Sequence, residues 1–176
     1  FMQHLFRLQD QFGGFLNRID FGDKGCHLLL FWGAPISHEQ DLTHMLNFVQ
    51  ALERVSEIPF RAGITYRIAH AGFIGSPFAE EYTCYGQGVN LAARQMMSAG
   101  MGEIWLDGET ARRAQTEFEV DEIGRVEFKG IAKPQLVFRL RDRRETRLSR
   151  FAGKPMIGKR VDPIDGDFHN RSMTVS

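Results

Sequence analysis

The chain has 176 residues, 43% hydrophobic and 25% charged, and its 22 Lys plus Arg are balanced by 22 Asp plus Glu. These proportions suit one globular domain with a modest appendage, and a net charge of zero argues against a general nucleic-acid or anionic-membrane binder. Two isolated cysteines, Cys26 and Cys84, are too few for a disulfide framework or a metal site and read as small buried hydrophobes.

In chain order, residues 1–12 predict an amphipathic helix with Met2, Leu5, Phe6, Leu8 and Phe12 on one side, ended by Gly13-Gly14. Phe15 to Phe21 and Cys26 to Trp32 predict a β-hairpin about Gly22-Asp23-Lys24-Gly25. Ser37 is the expected N-cap of a helix carrying Leu42, Met45, Leu46, Val49 and Leu52 to about Val55, where Pro59 follows. Phe60 to Tyr66 and Ile68 to Ile74 read as strands, and Ser76 to Glu80 as a loop. A short strand, Tyr82 to Tyr85, breaks at Gly86-Gln87-Gly88 and turns helical from Val89. Glu103 to Leu106 is a strand, Asp107 caps a helix over 108–115, Phe118 to Ile123 and Val126 to Lys129 pair about Gly124, and Gln135 to Leu140 is the last strand. The mixture predicts an α+β layer, a mixed or antiparallel sheet with helices on one face. Residues 1–141 form the expected domain, and the charged stretch 142–176 reads as linker and tail. No apolar run approaches about 18 residues, so no membrane span is expected. The start lacks a secretory pattern, and the cytoplasm is the expected location.

The stretch Glu81 to Met97, EYTCYGQGVNLAARQMM, concentrates the chemistry. Asn90 and Arg94 are four residues apart on a helix, so they project from one face. An amide and a permanently charged planar guanidinium in that order suit a sugar oxygen and a phosphate; the alternative is a solvated face or a structural ion pair. His70 has no second His or Cys at metal spacing, and the run Gly72-Phe73-Ile74-Gly75 is no dinucleotide fingerprint.

Four segments in order resemble the class III nucleotidyl cyclase catalytic domain. They are the Gly13-Gly14 hairpin ending in FWGAP, RAGITYRIAHAGFIGS (Arg61 to Ser76), EYTCYGQGVNLAAR (Glu81 to Arg94) and VEFKGIAKPQLVFRL (Val126 to Leu140). The Asp23 to Cys26 turn and the Met pair after Arg94 further resemble the second cyclase domain of soluble adenylyl cyclases. In that group an ATPase-type module follows, and Lys154 to Arg160 resembles its entry.

The resemblance implies a ferredoxin-like cyclase sandwich whose first strand would precede this chain. It implies formation of a cyclic nucleotide and pyrophosphate from a nucleoside triphosphate, cAMP rather than cGMP, with Mg2+ or Mn2+, at a site shared with another cyclase domain in a homodimer or an intramolecular pair. Arg94 would stabilise the charged phosphorus and Asn90 would orient the ribose. Thr83 and Arg18 would read the base, with Arg18 standing where adenylyl cyclases usually carry Lys. Lys129 would meet the terminal phosphates. The family's second metal Asp would fall at Gly22; Asp23, one residue on, is the candidate metal ligand, with a turn role as its alternative. Most metal carboxylates would come from the partner domain. A catalytically inert regulatory or dimerisation domain is the alternative function, and an RNA-binding α+β module is disfavoured by the neutral charge.

Overall fold

A computed structural model describes residues 1–22, 25–76 and 78–144; Asp23 and the expected tail from residue 145 lie outside them. Helix α1 (Met2–Phe12) buries Leu5 and Leu8. Phe6, next to Leu5 and so turned about 100° away, is 46% exposed and leaves the expected apolar stripe. The helix closes with the Gly13 N–H on the Gln9 carbonyl, and the Trp32 indole N–H donates to the Phe12 carbonyl at 2.9 Å.

Strands β1 (Phe15–Gly22) and β2 (Gly25–Phe31) form the expected antiparallel hairpin. Its alternation is interrupted. Leu16 pairs with Leu30 and Arg18 with Leu29, so Asn17 is the extra residue of a β-bulge. The bulge lets Leu16 and Ile19, three apart, face the core-packed Leu30 and Leu28.

Helix α2 (Asp41–Val55) starts later than the Ser37 cap predicted. Asp41 turns back on the preceding loop instead, its buried carboxylate accepting from the His38 N–H at 2.7 Å and the Ser37 hydroxyl at 3.4 Å. Leu46, Phe48, Val49 and Leu52 are buried.

Strand β3 (Ala62–Ile64) is short. Strands β4 (His70–Ser76) and β5 (Ala79–Tyr85) form a second antiparallel hairpin. The expected loop through Glu80 is partly strand, because Ala79, Glu80 and Glu81 pair with Ser76, Gly75 and Ile74; cross-strand pairing outweighs their poor β propensity. Helix α3 (Gln87–Ser98) follows.

Strand β6 (Ile104–Asp107) leads into α4 (Gly108–Ala114), where the Asp107 carboxylate accepts from the Thr110 N–H as the cap predicted from sequence. The two strands expected about Gly124 are one, β7 (Phe118–Val126), with a register shift between Glu122 and Gly124. Its partner is β8 (Gln135–Arg143), which runs two residues beyond position 141.

The larger sheet has the order β3-β6-β8-β7, with β3 parallel to β6 and the other pairs antiparallel. Both faces of β6 are covered. Ile104 and Leu106 join the core made by α1, α2, α4 and the β1–β2 hairpin, whereas Trp105 joins Leu91 of α3 and its C-cap Ala99 with Phe128 and Val137. The observed architecture is an α+β fold with mixed and antiparallel sheets. No helix among the described residues is long and apolar enough to cross a membrane.

Candidate active site

Helix α3 carries Asn90, exposed, and Arg94, half-buried. Among the described residues neither side chain is engaged in a hydrogen bond or ion pair with another. The helix is nevertheless closely held. Alternate residues of a strand face the same way, and the three that flank and occupy β3 on that side each grip α3. The Arg61 guanidinium donates to the Met97 and Ala99 carbonyls at 3.2 and 3.1 Å, satisfying carbonyls at the helix C-terminus. The Thr65 hydroxyl donates to the Gly88 carbonyl at 3.0 Å in the first turn. Between them Gly63 lets the helix backbone lie directly on the strand: a methyl there would stand 2.0 Å from the Ala92 carbonyl oxygen. The start of α3 is set by Gly86, whose φ of 151° few other residues adopt.

A further clamp holds the link between β3 and β4. The Arg67 guanidinium donates to the fully buried Asp107 carboxylate, its Nε at 2.8 Å, and the Tyr66 N–H donates to the Thr110 hydroxyl at 2.7 Å. Arg113 lies 4.9 Å over the Tyr66 ring. Arg67 also packs against Gly88, where an added Cβ would meet its own Cβ at 3.1 Å. The floor under the first turn of α3 is therefore tied to the start of α4.

The base-reading candidates, Arg18 and Thr83, are brought together by contacts between β1 and β5. The Asn17 amide N–H donates to the Tyr82 carbonyl at 2.7 Å, and the Thr83 hydroxyl donates to Asn17 Oδ1 at 3.0 Å. Arg18 meets Glu81 at 3.4 Å, both about half exposed. Phe15 packs edge-on to Tyr82 at 5.8 Å. Strand β5 then runs through Gly86 into α3, so Thr83 and Asn90 lie on either side of a single strand-to-helix junction.

Lys129 is exposed in the turn after β7. Its neighbour Phe128 is buried in the cluster that contains Leu91 of α3, which anchors that turn to the same core as the helix. At the far end of α3, the Glu103 carboxyl is held below its ordinary value, first by the Gly100 N–H, then by the Trp105 indole and the Arg139 charge. Burial pushes the Cys84 thiol up; Cys26, expected to be buried, is exposed near the hairpin turn. Among the described residues no three His, Cys, Asp or Glu side chains converge, so they offer no all-protein metal cage.

Asn17, Glu81, Arg67 and the Arg61-Gly63-Thr65 row were not singled out from sequence. Asn17 had a signal: two polar residues in succession, Asn17-Arg18, between Leu16 and Ile19 mark a slip in the alternation. The others take their roles from partners distant in the chain.

A class of protein follows from this fold and motif order. The model of the adenylate and guanylate cyclase catalytic domain matches residues 36–142, more than half of the chain, and the chain belongs to that family. Among curated relatives, adenylate cyclase type 10 of Rattus norvegicus is 28% identical over 179 residues, covering 92% of this chain and 11% of the relative. The same enzyme of Homo sapiens is 33% identical over 102 residues, 53% of this chain and 6% of the relative. The chain thus spans about a tenth or less of the length of these relatives. The solved adenylyl cyclase CyaB from P. aeruginosa shares the fold at a TM-score of 0.72 and 20% identity, over 81% of this chain and 79% of that one. The guanylate cyclase domain of RhGC from Catenaria anguillulae, solved in complex with GTP, gives 0.67 at 17% identity, over 81% and 80%.

Proposed function

We propose that this chain forms the nucleotide-handling half of a shared cyclase site, converting a nucleoside triphosphate, ATP rather than GTP, into a cyclic nucleotide and pyrophosphate in intracellular signalling. The observation that carries the reading is Asn90 and Arg94 on one face of a helix that β3 grips along its length. Both side chains lack protein partners among the described residues, and the first turn of α3 bears no acidic group to repel a phosphate.

In the reaction the ribose 3′-oxygen forms a bond to the α-phosphorus while the bond from that phosphorus to the bridging oxygen of pyrophosphate breaks. Such chemistry depends on position and charge. Arg94 offers a permanent charge to the oxygens around phosphorus, and Asn90 orients the ribose. Lys129 meets the terminal phosphates, and Thr83 and Arg18 read the purine. Mg2+ or Mn2+ would be held chiefly by carboxylates of a complementary cyclase domain, with Asp23 as this chain's candidate. Pairing is supported by the β4–β5 hairpin, which leaves Phe73 72% and Phe78 98% exposed.

The test pairs this chain with a complementary cyclase domain, adds ATP and Mg2+ or Mn2+, and measures cyclic AMP. Arg94→Ala is expected to lower kcat by about 100-fold or more with the circular dichroism spectrum unchanged. Unchanged turnover would refute the reading. Tight nucleotide binding without turnover in any pairing would identify a regulatory module instead. The chain by itself is expected to give very weak turnover.

A further inference from the structure

Asn17 lies against Thr83, and its role rests on the reading above that Thr83 faces the purine. A threonine hydroxyl is ambiguous, since it both donates and accepts. Beside a base it could accept from an amino group or donate to a carbonyl, and it would then distinguish adenine from guanine poorly.

The bulge in β1 removes this ambiguity. Asn17 is the extra residue of the bulge, and its side chain reaches across to β5. The Tyr82 carbonyl can only accept, so the Asn17 group 2.7 Å from it is the NH2. The other end of the amide, facing Thr83 at 3.0 Å, is therefore the carbonyl oxygen. That oxygen is also acceptor-only, so the Thr83 hydroxyl spends its one hydrogen on it. What remains on Thr83 Oγ1 is a pair of acceptor sites.

We infer that Asn17 is a specificity-determining positioning residue that converts Thr83 into a pure acceptor, and so selects a 6-amino purine nucleotide over a 6-oxo one. Arg18 completes the pattern. It carries donors only, and its pairing with Glu81 holds it beside the same strand. A donor next to an acceptor matches the adenine edge, with its ring-nitrogen acceptor and amino donor. The guanine edge presents a ring N–H and a carbonyl, the reverse at both positions. A site whose polar groups are arranged to hydrogen-bond one edge disfavours an analogue that presents the reverse pattern. Asn17 itself touches no base and acts through Thr83.

The experiment is titration calorimetry of ATP and of GTP into the chain, alone and paired with a complementary cyclase domain. The wild type is expected to prefer ATP. Asn17→Leu fills similar space but frees the Thr83 hydrogen, and is expected to reduce the ATP-to-GTP affinity ratio about tenfold. Asn17→Ala gives the same readout should the leucine variant not fold. Asn17→Asp separates polarity from mere support of the hairpin. It loses the donor to Tyr82 but keeps an acceptor for Thr83, so the ratio is expected to stay within about twofold of wild type.

A folded Asn17→Leu or Asn17→Ala protein with an unchanged ratio would overturn the inference. So would an Asn17→Asp protein whose ratio collapses as far as the leucine variant's, or a wild type that prefers GTP. Arg94→Ala reports on the underlying cyclase reading separately, because it should weaken both nucleotides alike and leave the ratio intact. Absence of binding by either nucleotide in either state would overturn both readings.

Discussion

Gly63→Ala is the sharpest perturbation of the way α3 is held. The added methyl carbon would stand 2.0 Å from the Ala92 carbonyl oxygen and 2.6 Å from the Met96 nitrogen, both backbone atoms of α3. Ordinary contact begins at 3.4 Å, so the helix has to retreat by roughly 1.4 Å. It cannot do so freely, because Arg61 and Thr65 tie its two ends to the same strand. Overpacking of this kind costs about 1–3 kcal/mol, and a contact with helix backbone at both ends of the clash belongs near the upper figure. The functional cost is larger. A displacement of about 1 Å in catalytic groups lowers turnover by about 100-fold, and Asn90 and Arg94, the proposed ribose- and phosphate-binding residues, ride on the displaced helix. Urea denaturation measures the first effect, and cyclic nucleotide formation by the paired domains measures the second. Gly72→Ala is the control: its Cβ would meet nothing within 4 Å, and it should leave stability nearly unchanged. A Gly63→Ala protein within about 0.5 kcal/mol of wild type and with full turnover would refute the argument that β3 positions α3 by backbone contact.

Gly86→Ala places a side chain at φ 151°; a loss of about 1–3 kcal/mol by chemical denaturation is expected. Arg67→Ala leaves the fully buried Asp107 with only its Thr110 hydrogen bonds. Breaking a fully buried pair costs about 3–5 kcal/mol, and since Arg67 is 37% exposed the expected loss is smaller, about 2 kcal/mol. Arg67→Lys should recover only part of it, because a point charge cannot reproduce the fork. Glu103→Gln should be less stable than wild type at pH 7. The folded carboxyl is depressed, so its contribution is present above the ordinary value of 4.5 and is lost as pH falls through the lower folded value. Denaturation midpoints of the two proteins should converge in that acidic range; a constant gap down to pH 2.5 would refute the assignment.

Most elements were legible because their signals are local. The period of Leu42, Met45, Leu46, Val49 and Leu52 marked α2, and Asp107 marked the cap of α4. The Asn90–Arg94 spacing needed only a helix to become one face. The errors occurred where a distant partner decided the outcome. Ser37 is a good local cap, but Asp41 took the loop donors and the helix began later. Gly124 looked like a turn, but continuous pairing with β8 absorbed it as an irregularity within a single strand.

The same division runs through the site. By itself the sequence determined the residue types, their order and the α3 face, since these depend on helical period and on a family motif carried in one continuous stretch. Tertiary structure alone decided that Arg61, Gly63 and Thr65 hold α3, that Arg67 neutralises Asp107, and that Asn17 faces Thr83 across 66 positions of chain. Hydrogen-bond polarity is the physical reason. Whether a hydroxyl donates or accepts is settled by the group opposite it, and for Thr83 that group is supplied by another hairpin.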